Sequence, residues 1–106
     1  EECAAIEKER GVRFEFDRKI VTAPAALDPA WCENLRRCGE ARALKLEDVP
    51  SGAGHDAAVF ANTGISSAML FIRNQNGSHN PAEAMLLEDL VLGTGVLLDA
   101  VLLPLT

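Results

Sequence analysis

Tyrosine is absent, tryptophan occurs once, and aromatic residues fill only 5% of the 106 positions. Proteins that hold single-stranded nucleic acid stack bases on aromatic side chains, so a stacking platform is excluded. Positive charge is scarce too: 10 Lys plus Arg against 16 Asp plus Glu give a net charge of −6. Nucleic acid and anionic membranes are bound through cationic patches, so the chain predicts no nucleic-acid and no membrane partner. Cysteine is limited to Cys3, Cys32 and Cys38, an odd number without a C-x-x-C pair. That argues against a disulfide framework or a zinc finger and for reduced, mostly buried thiols in the cytoplasm. The start, Glu1-Glu2-Cys3, has no basic stretch followed by an apolar one, so no signal peptide is visible.

Apolar residues make up 48% and charged residues 25%, the composition of a soluble globular protein. One domain is the default at this length, with roughly two-thirds of the unfolded surface buried. The first residue is not Met, and residues 1–10 read as the middle of an amphipathic helix. The expectation is a segment of a longer chain.

Residues 1–10 are good helix formers ending at Gly11, a natural stop. Val12, Phe14 and Phe16 alternate with charged residues, and Ile20 and Val21 extend the pattern, which predicts a strand with one buried face. Ala23-Pro24-Ala25-Ala26 breaks it and marks a linker. Asp28-Pro29 is a helix start, with Trp31, Leu35 and Cys38 on one buried stripe and Glu33, Arg36, Arg37 and Glu40 on the wet side. Leu44 and Leu46 suggest a short strand, and Ala57–Asn62 a short helix closed by Thr63-Gly64. The run Ser67–Ile72 predicts a strand buried on both faces. Arg73–Pro81 must be a loop, and Ala82–Leu103 a long core helix whose stripe is Leu86, Leu90, Leu97 and Val101. In that helix Gly93 and Gly95 either weaken it or let another element approach, and its acids are too frequent for a membrane span. The order of elements predicts an α/β fold, a mixed sheet covered by helices, with too few pieces to close a complete doubly wound sheet.

The two histidines lie in polar, glycine-containing loops after predicted strands: His55 in SGAGHDA (51–57) and His79 in NGSHNPAE (76–83). Ligands of open α/β sheets bind beyond the carboxyl ends of strands, where such loops gather. His79 is the better metal-ligand candidate, since a neutral imidazole suits zinc; the alternative is an unengaged surface histidine. Gly52 and Gly54 could free backbone amides to converge on a carboxylate, with Asp56 orienting a neighbouring ligand. The alternative is a tight turn in which Asp56 caps the following helix. Arg73 could clamp a carboxylate or pair with Glu83, itself a first-turn helix acid.

The motifs SGAGHDA (51–57), AMLFIRNQNGSHNPAEAM (68–85) and the helix with Glu88-Asp89-Leu90 and Gly93 resemble the carboxyl-terminal end of zinc-dependent amidohydrolases. The group is that of N-carbamoyl-L-amino-acid hydrolase, allantoate amidohydrolase and β-ureidopropionase, relatives of aminoacylase and carboxypeptidase G. The resemblance implies a remnant of a lid and dimerisation domain at 1–22, a linker at 23–27, and the carboxyl-terminal half of a catalytic domain at 28–106. It implies hydrolysis of a carbamoyl or ureido C–N bond in a small molecule, a Zn (or Mn, Co, Ni) cofactor, and a homo-oligomer. It matches His79 to a metal ligand and places the substrate's carboxylate end at Gly52 and Gly54, with His55 and Asp56 beside them. The remaining ligands and the glutamate base have no counterpart here, so the chain is expected to be inactive alone. Two other functions fit the residues without the resemblance: a non-catalytic module binding a partner through an apolar face, and a small anion-binding protein.

Overall fold

The helix ends follow from local chemistry. In the computed structural model, which describes residues 1–103, α1 (Glu2–Arg10) stops at Gly11, whose φ of 63° lets its amide reach back to the Glu7 carbonyl. The last three residues of the 28–106 segment lie outside the described residues. Helix α2 (Pro29–Ala41) starts where Asp28 accepts hydrogen bonds from the amides of Ala30 and Trp31 at 2.8 and 3.2 Å. Helix α3 (Asp56–Asn62) has His55 at its N-cap with no side-chain cap bond, so Asp56 is a first-turn acid and does not cap the helix as the alternative reading had it. Helix α4 (Leu87–Leu102) begins five residues later than expected, because Ala84 is paired with Gln75 in an isolated antiparallel bridge. No helix among the described residues is long and apolar enough to cross a membrane.

The core is the contact of α2 with α4, the one packed helix pair among the described residues. Leu35 and Cys38 meet Val96 and Ala100, flanked by Leu44, Leu46, Ala68 and Leu70. The stripe expected on α2 is therefore the buried one. The stripe expected on α4 is not: Leu86, Leu97 and Val101 are exposed, while Val96 and Ala100 are each 1% exposed. Small residues win this face because they allow close approach. A Cβ on Gly93 would lie 3.0 Å from Ile72 Cγ1, and one on Gly95 would lie 2.5 Å from Arg42 Nη1. Arg42 reaches across to Asp99, with Nε to Oδ2 at 2.6 Å and Nη2 to Oδ1 at 3.0 Å. This hydrogen-bonded fork holds the Asp99 carboxyl below its ordinary range.

A buried polar residue ties the pair together. Asn34 is 1% exposed, and its Nδ2 donates to the Ala100 carbonyl at 3.0 Å. The last carbonyls of a helix lack intrahelical donors. The residue four places on from Ala100 is Pro104, which has no N–H. Asn34 supplies the donor that the chain cannot. Its Oδ1 in turn accepts from Arg37 Nη2 at 3.0 Å.

The mixed sheet expected from the order of elements is not formed among the described residues. Residues 12–21 run without ladder partners, leaving Phe16, Ile20 and Val21 exposed, and no strand forms at Leu44–Leu46. Residues 67–72 make one backbone tie, from the Asp28 amide to the Ser67 carbonyl at 2.8 Å. A strand gains its stability from a paired neighbour, and period-two patterning by itself cannot supply one. The segment is also not buried on both faces. Ala68 and Leu70 face the core, whereas Phe71 is half exposed. The radius of gyration is 19.3 Å, against about 13 Å for a compact 100-residue domain. The chain thus wraps one small helix-pair core and leaves much apolar surface uncovered.

Two outcomes follow for stability. Asn34→Ala leaves the Ala100 carbonyl buried without a donor and is expected to cost about 1–3 kcal/mol, read from the urea midpoint. Asp28, held low first by the Ser66 hydroxyl and then by the Trp31 amide, and Asp99, held low by Arg42, both stabilise the fold in their charged form. A carboxyl depressed by folding contributes fully above its unfolded value, about 3.9, and loses that contribution as pH falls through the folded one. The melting temperature should be flat from pH 7 to 5 and fall below about pH 4, less steeply in Asp99→Asn.

Candidate functional site

The loop at 73–84 is built from its own asparagines. Asn74 Nδ2 donates to the Gly77 carbonyl at 3.0 Å and to Glu83 Oε1 at 2.9 Å. Asn76 Nδ2 reaches the Ala82 carbonyl, and Asn80 Nδ2 the Asn76 carbonyl, each at 2.9 Å. Glu83 Oε2 accepts the His79 amide at 2.9 Å. Those donors, the Asn74 carboxamide first and the His79 amide second, hold the Glu83 carboxyl below its ordinary range. Glu83 is thus a loop clasp and not the first-turn helix acid expected. Arg73 does not pair with it; its Nε, at 3.1 Å, and its Nη2 both donate to Asp89 Oδ1. This clasp holds His79 at a φ of 61°, beside Asn76 at 64° and Gly77 at 74°. A left-handed non-glycine residue is uncommon, and histidine is among the types enriched there. Such a conformation persists only where surrounding bonds fix it, often at functional positions.

The second histidine loop is held by a serine. Ser51 Oγ lies 2.8 Å from His55 Nε2 and accepts the Ala53 amide at 3.2 Å. The His55 ring stands edge-on to Phe71, centroids 5.7 Å apart. It faces His79 at 6.5 Å with the ring planes at 71°. Segment 67–72 makes this meeting possible: alternate residues pack on the helices, and Phe71 turns to the opposite side, against His55.

The structure therefore brings His55 and His79 together. It places Gly52 and Gly54 in open space, where an added Cβ would meet nothing within 4 Å. Neither glycine is left-handed, so the alternating backbone of an anion-binding nest is not present. No hydrogen bond joins Asp56 to either imidazole among the described residues, so an orienting role for it has no contact behind it. Ser51, Phe71 and the clasp of Asn74 and Glu83 were not singled out as a support in the sequence. The density of asparagine in RNQNGSHN was the signal available for the clasp.

A metal ion is what the two rings suggest, and the donor set is short of one. No group of three or more His, Cys, Asp or Glu side chains is placed to hold a metal among the described residues. A catalytic zinc takes three protein ligands, so these residues do not make a complete centre.

Comparison with known proteins gives a consistent picture. The sequence profile of peptidase family M20/M25/M40 matches residues 6–103. The allantoate amidohydrolase of Escherichia coli strain K12 is 34% identical over 94 residues, covering 88% of this chain and 23% of that protein. The N-carbamoyl-L-amino-acid amidohydrolase of Paenarthrobacter aurescens is 31% identical over 94 residues, with the same coverage of 88% and 23%. That of Pseudomonas sp. strain NS671 is 26% identical over 103 residues, covering 96% of this chain and 25% of the relative. The chain spans about a quarter of the length of the curated relatives it matches. No solved structure matches it.

Removing the clasp should free the loop without touching the core. In Glu83→Ala the His79 amide is expected to exchange with solvent several-fold faster, since it loses its charged acceptor. The amides of α2 and α4 should exchange as before. Unchanged protection at His79 would show that the loop is held by something other than Glu83.

Proposed function

This chain belongs to peptidase family M20/M25/M40, and on that premise we propose that it carries the His79-bearing part of a metal-dependent amidohydrolase cleaving a carbamoyl or ureido C–N bond. The observation that carries the reading is the meeting of the two histidine loops, with ring centroids 6.5 Å apart. His79 is the one metal ligand in this scheme, to zinc, manganese, cobalt or nickel, and the centre is completed by groups outside the described residues. Gly52 and Gly54, whose amides donate to no acceptor among the described residues, face the carboxylate end of a small substrate. His55 and Asp56 flank that end. The names of the relatives, N-carbamoyl-L-amino-acid amidohydrolase and allantoate amidohydrolase, support this substrate class.

The same reading organises the rest of the chain. Residues 1–22 form part of a lid and dimerisation domain, 23–27 a linker, and 28–106 part of the catalytic domain. Residues 12–21 and 67–72 are strands of a mixed sheet whose pairing is completed beyond this chain. A homo-oligomer, which the resemblance implies, belongs to the same reading. Three free thiols fit a cytoplasmic location. Exposed Leu87, Val91, Val101 and Leu102 on α4 favour association through an apolar face, which the partner-binding reading also requires.

An in-frame chimera tests the proposal: residues 6–103 replace the matching quarter of the Escherichia coli allantoate amidohydrolase. With divalent metal supplied, the chimera should turn over allantoate. His79→Ala should lower kcat by more than about 100-fold, beyond the range typical for residues that merely back a metal ligand. The 106-residue chain alone should show no turnover. A folded, inactive chimera, or one indifferent to His79→Ala, overturns the assignment; turnover by the chain alone overturns its dependence on outside groups.

A further inference from the structure

The two imidazoles look alike in the sequence, yet their surroundings divide them. Neither ring nitrogen of His79 has a hydrogen-bond partner among the described residues, so both remain available to a ligand or an ion. His55 is different. Its Nε2 is 2.8 Å from Ser51 Oγ, and its ring is half-buried against Phe71.

The serine itself is constrained. Its oxygen already accepts the Ala53 amide at 3.2 Å. A second lone pair and the hydroxyl proton remain, and for that proton His55 Nε2 is the one acceptor within reach among the described residues. When one imidazole nitrogen accepts a hydrogen bond, the neutral ring carries its proton on the other. That leaves Nδ1–H as a donor. Free histidine in water favours the opposite form, protonated on Nε2, so the pairing inverts the intrinsic preference.

We propose that Ser51 is a positioning residue: its hydroxyl holds His55 Nε2, so that His55 presents Nδ1–H as a donor to a carboxylate lodged between the 51–55 loop and His79. The ligand half of this proposal rests on the substrate reading above. The chemistry is economical. A nitrogen that accepts from Ser51 cannot also give its lone pair to a metal, so His55 is kept out of ligation although it sits 6.5 Å from His79. A protonated Nδ1 beside the open amides of Gly52 and Gly54 adds one donor to a loop that otherwise offers only backbone. A small substrate bearing a carboxylate, such as an N-carbamoyl amino acid, is the class that such donors recognise.

Imidazole nitrogen spectra of the 106-residue chain read the tautomer directly. At pH 8 His55 should be protonated on Nδ1 in the wild type and in Ser51→Thr, and should revert to Nε2–H in Ser51→Ala. His79 should keep its spectrum in all three. Ser51 is exposed, and an unchanged amide spectrum away from 51–55 certifies that the variants fold. An Nε2–H His55 in the wild type, or a tautomer indifferent to Ser51→Ala, overturns the proposal. N-carbamoylglycine, titrated into the same samples, should shift the His55 Nδ1 and the Gly52 and Gly54 amides, with the dissociation constant raised about tenfold in Ser51→Ala and restored in Ser51→Thr. The expected tautomer without any response to N-carbamoylglycine would overturn the ligand half and, with it, the substrate pocket proposed above, while the chimera separately tests His79.

Discussion

The close approach of α2 and α4 is the constraint on which the described structure depends. The buried apolar side chains, Leu35 and Cys38 on α2 with Val96 and Ala100 on α4, all lie at that contact, while Gly93 lets Ile72 of the extended segment approach α4 closely. Burial at such a contact creates a polar problem, because the carbonyl end of α4 is driven against α2. The carboxamide of Asn34 answers it, and the Arg42–Asp99 fork fixes the rotation of the two helices at the solvent edge. Segment 67–72 then lies against the pair through Ala68 and Leu70 and carries Phe71 to the site. The geometry around His55 is thus inherited from the helix contact through one extended segment.

Features governed by neighbours in the chain were legible in the sequence. The Asp28-Pro29 start of α2, the Gly11 stop of α1 and the Leu35–Cys38 stripe are settled within a turn or two of backbone, so patterning finds them. The apolar face of α4 was misread for an instructive reason. Counting leucines assumes that the largest apolar residues are buried, whereas a close helix pair selects the smallest, and Leu97 and Val101 are left in solvent. The sheet was over-read because alternation in 12–21 reports the capacity to pair and says nothing about the presence of a partner.

At the candidate site the sequence set both histidines in polar, glycine-containing loops, and the structure brings the two ring centroids within 6.5 Å without the sheet edge expected to gather them. The means of support was not legible. Whether Glu83 begins a helix or clasps a loop depends on Asn74 reaching it across nine residues, and Arg73 chose Asp89 over Glu83 across sixteen. Such choices between equally charged partners are made by three-dimensional distance, which residue type does not encode. The roles proposed for His79, Gly52 and Gly54 come from the resemblance to amidohydrolases, whereas the distinction between His55 and His79 emerged only from the hydrogen bond of Ser51.

The clasped loop also has a kinetic meaning. Its hydrogen bonds span at most nine residues, whereas the bond from Asn34 to Ala100 spans 66. Closing a short loop costs less chain entropy and is faster than bringing distant segments together. During folding the turn that displays His79 can therefore be shaped before the helices that later support it have met, so the chemically interesting part of the chain is the early-forming one and the scaffold arrives late.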